Sequence, residues 1–119
     1  MKTILICIAA IIGVASSIEL KGRWETKPSE KGNVTGVVFK ADSTYEGYVN
    51  KKPFVSGRYW FNDAENIITI QESSCNGVPG IYKVDFFSNA DSMRFTAISD
   101  SYEERKQGMQ RLVLGRVKR

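Results

Sequence analysis

From Gly22 onward, apolar and polar residues alternate with period two in short runs, and each run is bounded by turn residues. In Thr44–Asn50, Tyr45, Gly47 and Val49 share one face while Thr44, Glu46 and Asn50 share the other. In Ser92–Ile98, Met93, Phe95 and Ala97 oppose Ser92, Arg94 and Thr96. Val37 and Phe39, Ile68 and Ile70, Tyr82, Val84 and Phe86, and Leu112 and Leu114 form similar rows. Side chains alternate between the faces of a strand, so these rows are the signature of strands buried on one side. The pattern predicts eight strands, near Gly22–Lys27, Val34–Lys40, Thr44–Asn50, Phe54–Phe61, Asn66–Glu72, Gly80–Phe87, Ser92–Ile98 and Met109–Val117. Between them stand hairpin-length groups of turn formers such as Ala41-Asp42-Ser43, Asn50-Lys51-Lys52-Pro53 and Asn89-Ala90-Asp91. Even spacing and short connections suggest an antiparallel meander. Glycines inside the strands, at Gly36, Gly47, Gly57 and Gly115, suit a sheet that bends sharply and closes on itself. The expected fold is therefore all-β, an eight-stranded antiparallel up-and-down barrel.

One segment breaks the alternation. Ser99 to Gly108 offers a capping residue in Asp100, an acid three positions later in Glu103, and a terminal glycine. That arrangement predicts one short helical turn between the seventh strand and the last.

The front of the chain follows different rules. Lys2 precedes an apolar run from Ile4 to Ala15, and Ala15-Ser16-Ser17 supplies small residues before the polar Glu19 and Lys21. This is the layout of a secretory signal peptide, whereas a membrane-spanning helix needs roughly 20 apolar residues. Cleavage is expected after Ser17, giving a signal peptide at 1–17 and a barrel domain at 18–119. No lipoprotein site follows Cys7. A periplasmic or secreted protein is expected, with no stable membrane insertion after cleavage.

Charge and composition narrow the chemistry. Of the charged residues the signal removes only Lys2, so the formal net charge of +4 falls by one and is too mild to argue for a nucleic-acid partner. Histidine is absent, which excludes mechanisms built on an imidazole base, ligand or pH switch. Cys75 remains as a single thiol, either buried and inert or engaged in an intermolecular disulfide. Asp63 and Glu65 flank a hairpin tip, and Glu103 and Glu104 sit in the helical turn, where solvation and capping account for them. No phosphate-binding loop, nucleophile elbow or spaced set of metal ligands is visible. Neither enzymatic activity, nor a cofactor, nor a metal is expected.

Gly22-Arg23-Trp24 opens the first strand, and Asp100-Ser101-Tyr102-Glu103-Glu104-Arg105 precedes the last. Together with an eight-strand meander, these motifs resemble the calycin group of barrels, the lipocalins and their small lipocalin-like relatives. The resemblance implies that Trp24 packs across the closed end of the barrel beside an arginine from late in the chain. Arg105 is the arginine expected to pair with it, because its segment is similar to an Asp-x-Cys-x-x-Arg motif of the small relatives. Tyr102 stands at the cysteine position of that motif, so no disulfide from Cys75 to this turn can form.

Two readings of function follow. In the first, the protein is a non-enzymatic, lipocalin-like binding module that holds a small apolar or amphipathic ligand in the barrel mouth, against Tyr45, Tyr59, Tyr82 and Phe95. In the second, those aromatics fill the barrel, which at eight strands is just wide enough to be packed solid or to hold one small ligand. The outer face or the loops would then contact a macromolecule, as in an interaction or inhibitor protein. Alternation in Tyr59-Trp60-Phe61 turns Trp60 outward, with Arg58 on the same face, as a candidate contact site.

Overall fold

The structure, a computed structural model, describes residues 19–72 and 76–118. The expected signal peptide and Cys75 lie outside the described residues. Eight strands form a single closed antiparallel barrel in which each strand pairs with its neighbours in sequence and the first pairs with the last. They are β1 (Gly22–Glu25), β2 (Thr35–Phe39), β3 (Thr44–Val49), β4 (Lys52–Asn62), β5 (Ile67–Glu72), β6 (Gly80–Phe87), β7 (Ser92–Ser99) and β8 (Val113–Arg116). A helix, α1 (Glu103–Arg111), joins β7 to β8.

The meander gives the barrel two distinct ends. The β2–β3, β4–β5 and β6–β7 turns lie at one end, with the entry to β1 and the exit from β8. The other three hairpin connections and α1 lie at the opposite end, the mouth. Closure is brief: β1 and β8 share two register pairs, Trp24 with Arg116 and Glu25 with Gly115. Val117 N–H adds a bond of 2.9 Å to the carbonyl of Arg23.

The inward rows are those the alternation predicts. Trp24, Ile68, Tyr82, Val84, Met93 and Leu114 are fully buried, and Phe39, Tyr45, Tyr59, Ile70 and Phe95 join them in one core. The strands hold their aromatics in contact. Phe39 meets Tyr59 edge-on at 5.0 Å between ring centres, and Tyr82 meets Phe95 at 6.3 Å. Phe86 touches both Trp24 and Phe61. Such edge-to-face contacts are favourable beyond the area they bury. Gly57 sits on the inward row between Tyr45 and Glu72. A Cβ there would lie 2.3 Å from the Gln71 carbonyl oxygen, so only glycine allows the walls to approach so closely.

Two departures from the expected elements concern the connection before β8. The helix is longer than a single turn and runs through Gly108 to Arg111, so it absorbs Met109 to Arg111 from the predicted last strand. Its N-cap is Tyr102, not Asp100, and no side chain caps it. Asp100 accepts the Tyr102 N–H at 2.9 Å, but the rest of its carboxylate is committed to the barrel. Met109 and Leu112 pack against the core, which fastens the helix across the mouth.

Both register shifts in the barrel fall at the mouth ends of their strands. Gly47 pairs with Val55 and Tyr48 with Pro53, leaving Phe54 as the extra residue of a bulge. Ile81 pairs with Ser99 and Tyr82 with Ala97, leaving Ile98 unmatched in the same way. Bulges are frequent at barrel rims, where they re-aim side chains. Here they leave Phe54 65% and Ile98 54% exposed.

Candidate functional site

At the mouth, β6 and β7 bring Tyr82 and Asp100 together, and α1 adds Arg105. The Arg105 guanidinium donates from Nε to Asp100 Oδ2 at 2.8 Å and from Nη2 to Asp100 Oδ1 at 2.8 Å. Nη2 also donates to the Val78 carbonyl at 2.8 Å, tying the helix to the entry of β6. The Tyr82 hydroxyl donates to the same carboxylate. Both charged side chains are almost wholly removed from solvent. Gly80 makes the space, since a Cβ there would stand 2.8 Å from Asp100 Oδ2 and 3.1 Å from Arg105 Nε.

Electrostatics follow the geometry. Burial pushes the Asp100 carboxyl upward, but hydrogen bonds from Arg105, Tyr82 and the Tyr102 N–H outweigh it and hold the group below its ordinary 3.8. The Tyr82 phenol is driven well above its usual range, first by burial and then by its bond to the Asp100 carboxylate. Asp100 is thus a fixed anion and Tyr82 a fixed donor. A second buried polar pair lies inside the barrel, where the Tyr45 hydroxyl donates to Glu72 Oε2 at 2.7 Å. Among the described residues, no group of three His, Cys, Asp or Glu side chains is placed to hold a metal ion.

At the closed end, the cation that covers Trp24 is Arg116. Its guanidinium carbon stands 4.2 Å from the indole centre, and Nη2 donates to the Glu19 carbonyl at 2.9 Å and the Ala90 carbonyl at 3.3 Å. The indole Nε1 donates to the Leu20 carbonyl at 2.9 Å, so the segment before β1 folds across the barrel floor. The expected pairing of Trp24 with Arg105 is corrected by this arrangement. Arg105 lies on α1 at the mouth, whereas Arg116 stands directly opposite Trp24 in the β1–β8 register. The buried Trp24 thus has Arg116 over its ring, where Arg105 was expected.

The other candidate residues fall as follows. Tyr45, Tyr59, Tyr82 and Phe95 all face inward and are buried, and they pack against other core side chains. Tyr59 also donates its hydroxyl to the Lys40 carbonyl at 2.9 Å. Trp60 faces outward, 47% exposed, with the Arg58 guanidinium 5.7 Å from its ring centre. A cleft of about 490 Å³ on the outer wall is lined by Arg23, Glu25, Val38, Glu46 and Tyr48, with Lys51 and Pro53 at its mouth-side edge. A second, of about 580 Å³, follows the β1–β8 seam past Thr26, Arg111 and Val113.

Among the arginines near the end of the chain, Arg105 was preferred to Arg116, and Glu72 and Phe54 were not singled out in the sequence. Parity carries a signal for two of these: Arg116 continues the inward row of Leu112 and Leu114, and Glu72 continues that of Ile68 and Ile70. No comparable signal marks Phe54, whose direction depends on a bulge.

No protein-family model and no curated protein matches the chain. The closed eight-stranded barrel is compatible with a lipocalin-like fold.

Proposed function

We propose that the protein is a non-enzymatic binding module, exported on the strength of its first 17 residues, that works from the rim and outer wall of a filled barrel. The observation that carries this reading is the interior itself. The aromatics that would line a ligand chamber are in ring contact with one another and nearly inaccessible to solvent. Large apolar side chains are instead exposed at the rim and on the outer wall, at Phe54, Trp60, Ile98 and Val113, each at least 47% exposed. Exposed aromatics beside cations are the composition of protein recognition sites.

One feature favours the other reading, a small amphipathic ligand held in the mouth. The Tyr45–Glu72 pair places polar groups inside the barrel, as ligand sites do when they orient a bound molecule. Native mass spectrometry of the protein purified from its own host separates the two. The filled barrel predicts the mass of the bare chain; a small organic molecule retained through gentle desolvation would overturn it and establish the mouth site.

A further inference from the structure

We propose that one corner of the mouth, formed by the β3–β4 hairpin tip and the β1–β2 loop, docks the barrel onto an anionic phospholipid surface. This rests on the reading that the barrel works from its outside, and names the partner of that surface. The tip is rigid. Asn50 and Lys51 both adopt left-handed backbone conformations, at φ 50° and 70°, as a two-residue hairpin turn requires. Asn50 also fixes the neighbouring loop: its N–H donates to the Val34 carbonyl at 2.8 Å, its Oδ1 accepts the Val34 N–H at 2.9 Å, and its Nδ2 donates to Asn33 Oδ1 at 2.9 Å. The two connections therefore present one surface.

That surface has the two components of interfacial binding. Lys51 and Lys52 on the tip and Lys27 and Lys31 on the loop are all exposed, and Glu30 is the one acid among the residues of these two connections. The bulge in β4 then leaves Phe54, the most exposed of the large apolar side chains, at the rim of the mouth beside Gly47 and Val55, directly after Lys51-Lys52-Pro53. Lysines draw a protein to anionic headgroups and an aromatic side chain anchors it at the acyl boundary; neither alone holds it firmly. An acidic polysaccharide would use the lysines but offers no apolar layer for an exposed phenylalanine. The opposite side of the mouth fits the lipid less well, because the first turn of α1 carries the exposed Glu103 and Glu104. Contact is thus made by a corner, with the helix tilted away.

Vesicle co-sedimentation tests this on the chain from Ile18 onward, which contains the eight strands and the core residues described above. Binding is expected to vesicles of phosphatidylcholine containing phosphatidylglycerol, and not to phosphatidylcholine alone. Phe54→Ser should weaken it about tenfold, in keeping with loss of a buried aromatic side chain. The double variant Lys51→Glu, Lys52→Glu should weaken it further, by several-fold for each charge. Thermal melting of both variants checks that the barrel is intact, as expected for changes at exposed positions. Binding that ignores Phe54→Ser, or that a soluble acidic polysaccharide matches in strength, would overturn the proposal in favour of simple polyanion adsorption. No binding to either vesicle would also overturn it, while an empty barrel by native mass spectrometry would leave the outer-surface reading standing.

Discussion

The two ends of the barrel are closed by the same kind of residue in opposite ways. At the floor, Arg116 lies on the face of Trp24 and hands its hydrogen bonds to main-chain carbonyls at Glu19 and Ala90. At the mouth, Arg105 is sunk against a carboxylate and reaches the Val78 carbonyl. The floor cation remains partly in water, so its charge needs little compensation. The mouth cation does not, and Asp100, buried with it, offsets the cost of that burial. The floor is thus a packing device and the mouth an electrostatic one. Only the second should respond strongly to pH.

The largest effect that would test this contrast is at the floor. Trp24 is fully buried and touches Phe86, Leu20 and Arg116, so Trp24→Ala removes packing from the barrel's widest side chain. A loss of about 4 kcal/mol in urea unfolding is expected, without change in pH dependence. A loss below about 1 kcal/mol would mean that the floor is not a structural closure, and would break the comparison at its first point.

The mouth comes next. Asp100→Asn leaves a buried guanidinium facing a neutral amide and should cost about 3 kcal/mol at neutral pH. Adding Arg105→Met should recover part of that loss, since the buried charge that Asp100 had neutralised goes with it. The pH profile carries the sharper test. Asp100 holds its proton less tightly folded than unfolded, so the unfolded chain binds more protons in acid. Its contribution is therefore present above the unfolded value of 3.8 and is lost as pH falls through the lower folded one. Tyr82 acts in the opposite direction. Its raised value makes a contribution that is present below 10.0 and declines as pH rises above it. Equilibrium unfolding across pH should show the acid slope flattened in Asp100→Asn and the alkaline slope flattened in Tyr82→Phe. Slopes that match the parent in both variants would remove the electrostatic role of the mouth.

Much of this fold was legible in the chain because its periodicity is strict. Eight strands with short connections leave few topologies, and the inward rows from Phe39 to Leu114 were readable by parity alone. Trp60 was placed outward by the same rule. The mouth was harder for a physical reason. Asp100 has the local pattern of a helix cap, and its true side-chain partners are Tyr82 on β6 and Arg105 in the first turn of α1. Arg105 followed from a motif, but its direction depended on which end of the barrel the helix covers. Phe54 and Ile98 were out of reach, because a bulge breaks the parity that locates the inward rows.

The smallest of the three effects decides whether the floor is truly insensitive to charge. Arg116→Met keeps a long apolar stem over the indole but removes the cation, its two bonds to main-chain carbonyls and its ion pair with Asp91 at 3.7 Å. Because the group is partly exposed, the ion pair counts for little, and the stacking supplies most of an expected loss of about 1–2 kcal/mol. High salt separates these contributions, since it screens exposed pairs but not a cation seated on a ring. The difference between Arg116→Met and the parent should therefore persist in high salt, read as the shift in urea midpoint. If it vanishes there, the floor is held by surface charge, and the two ends of the barrel differ in degree of burial, not in kind.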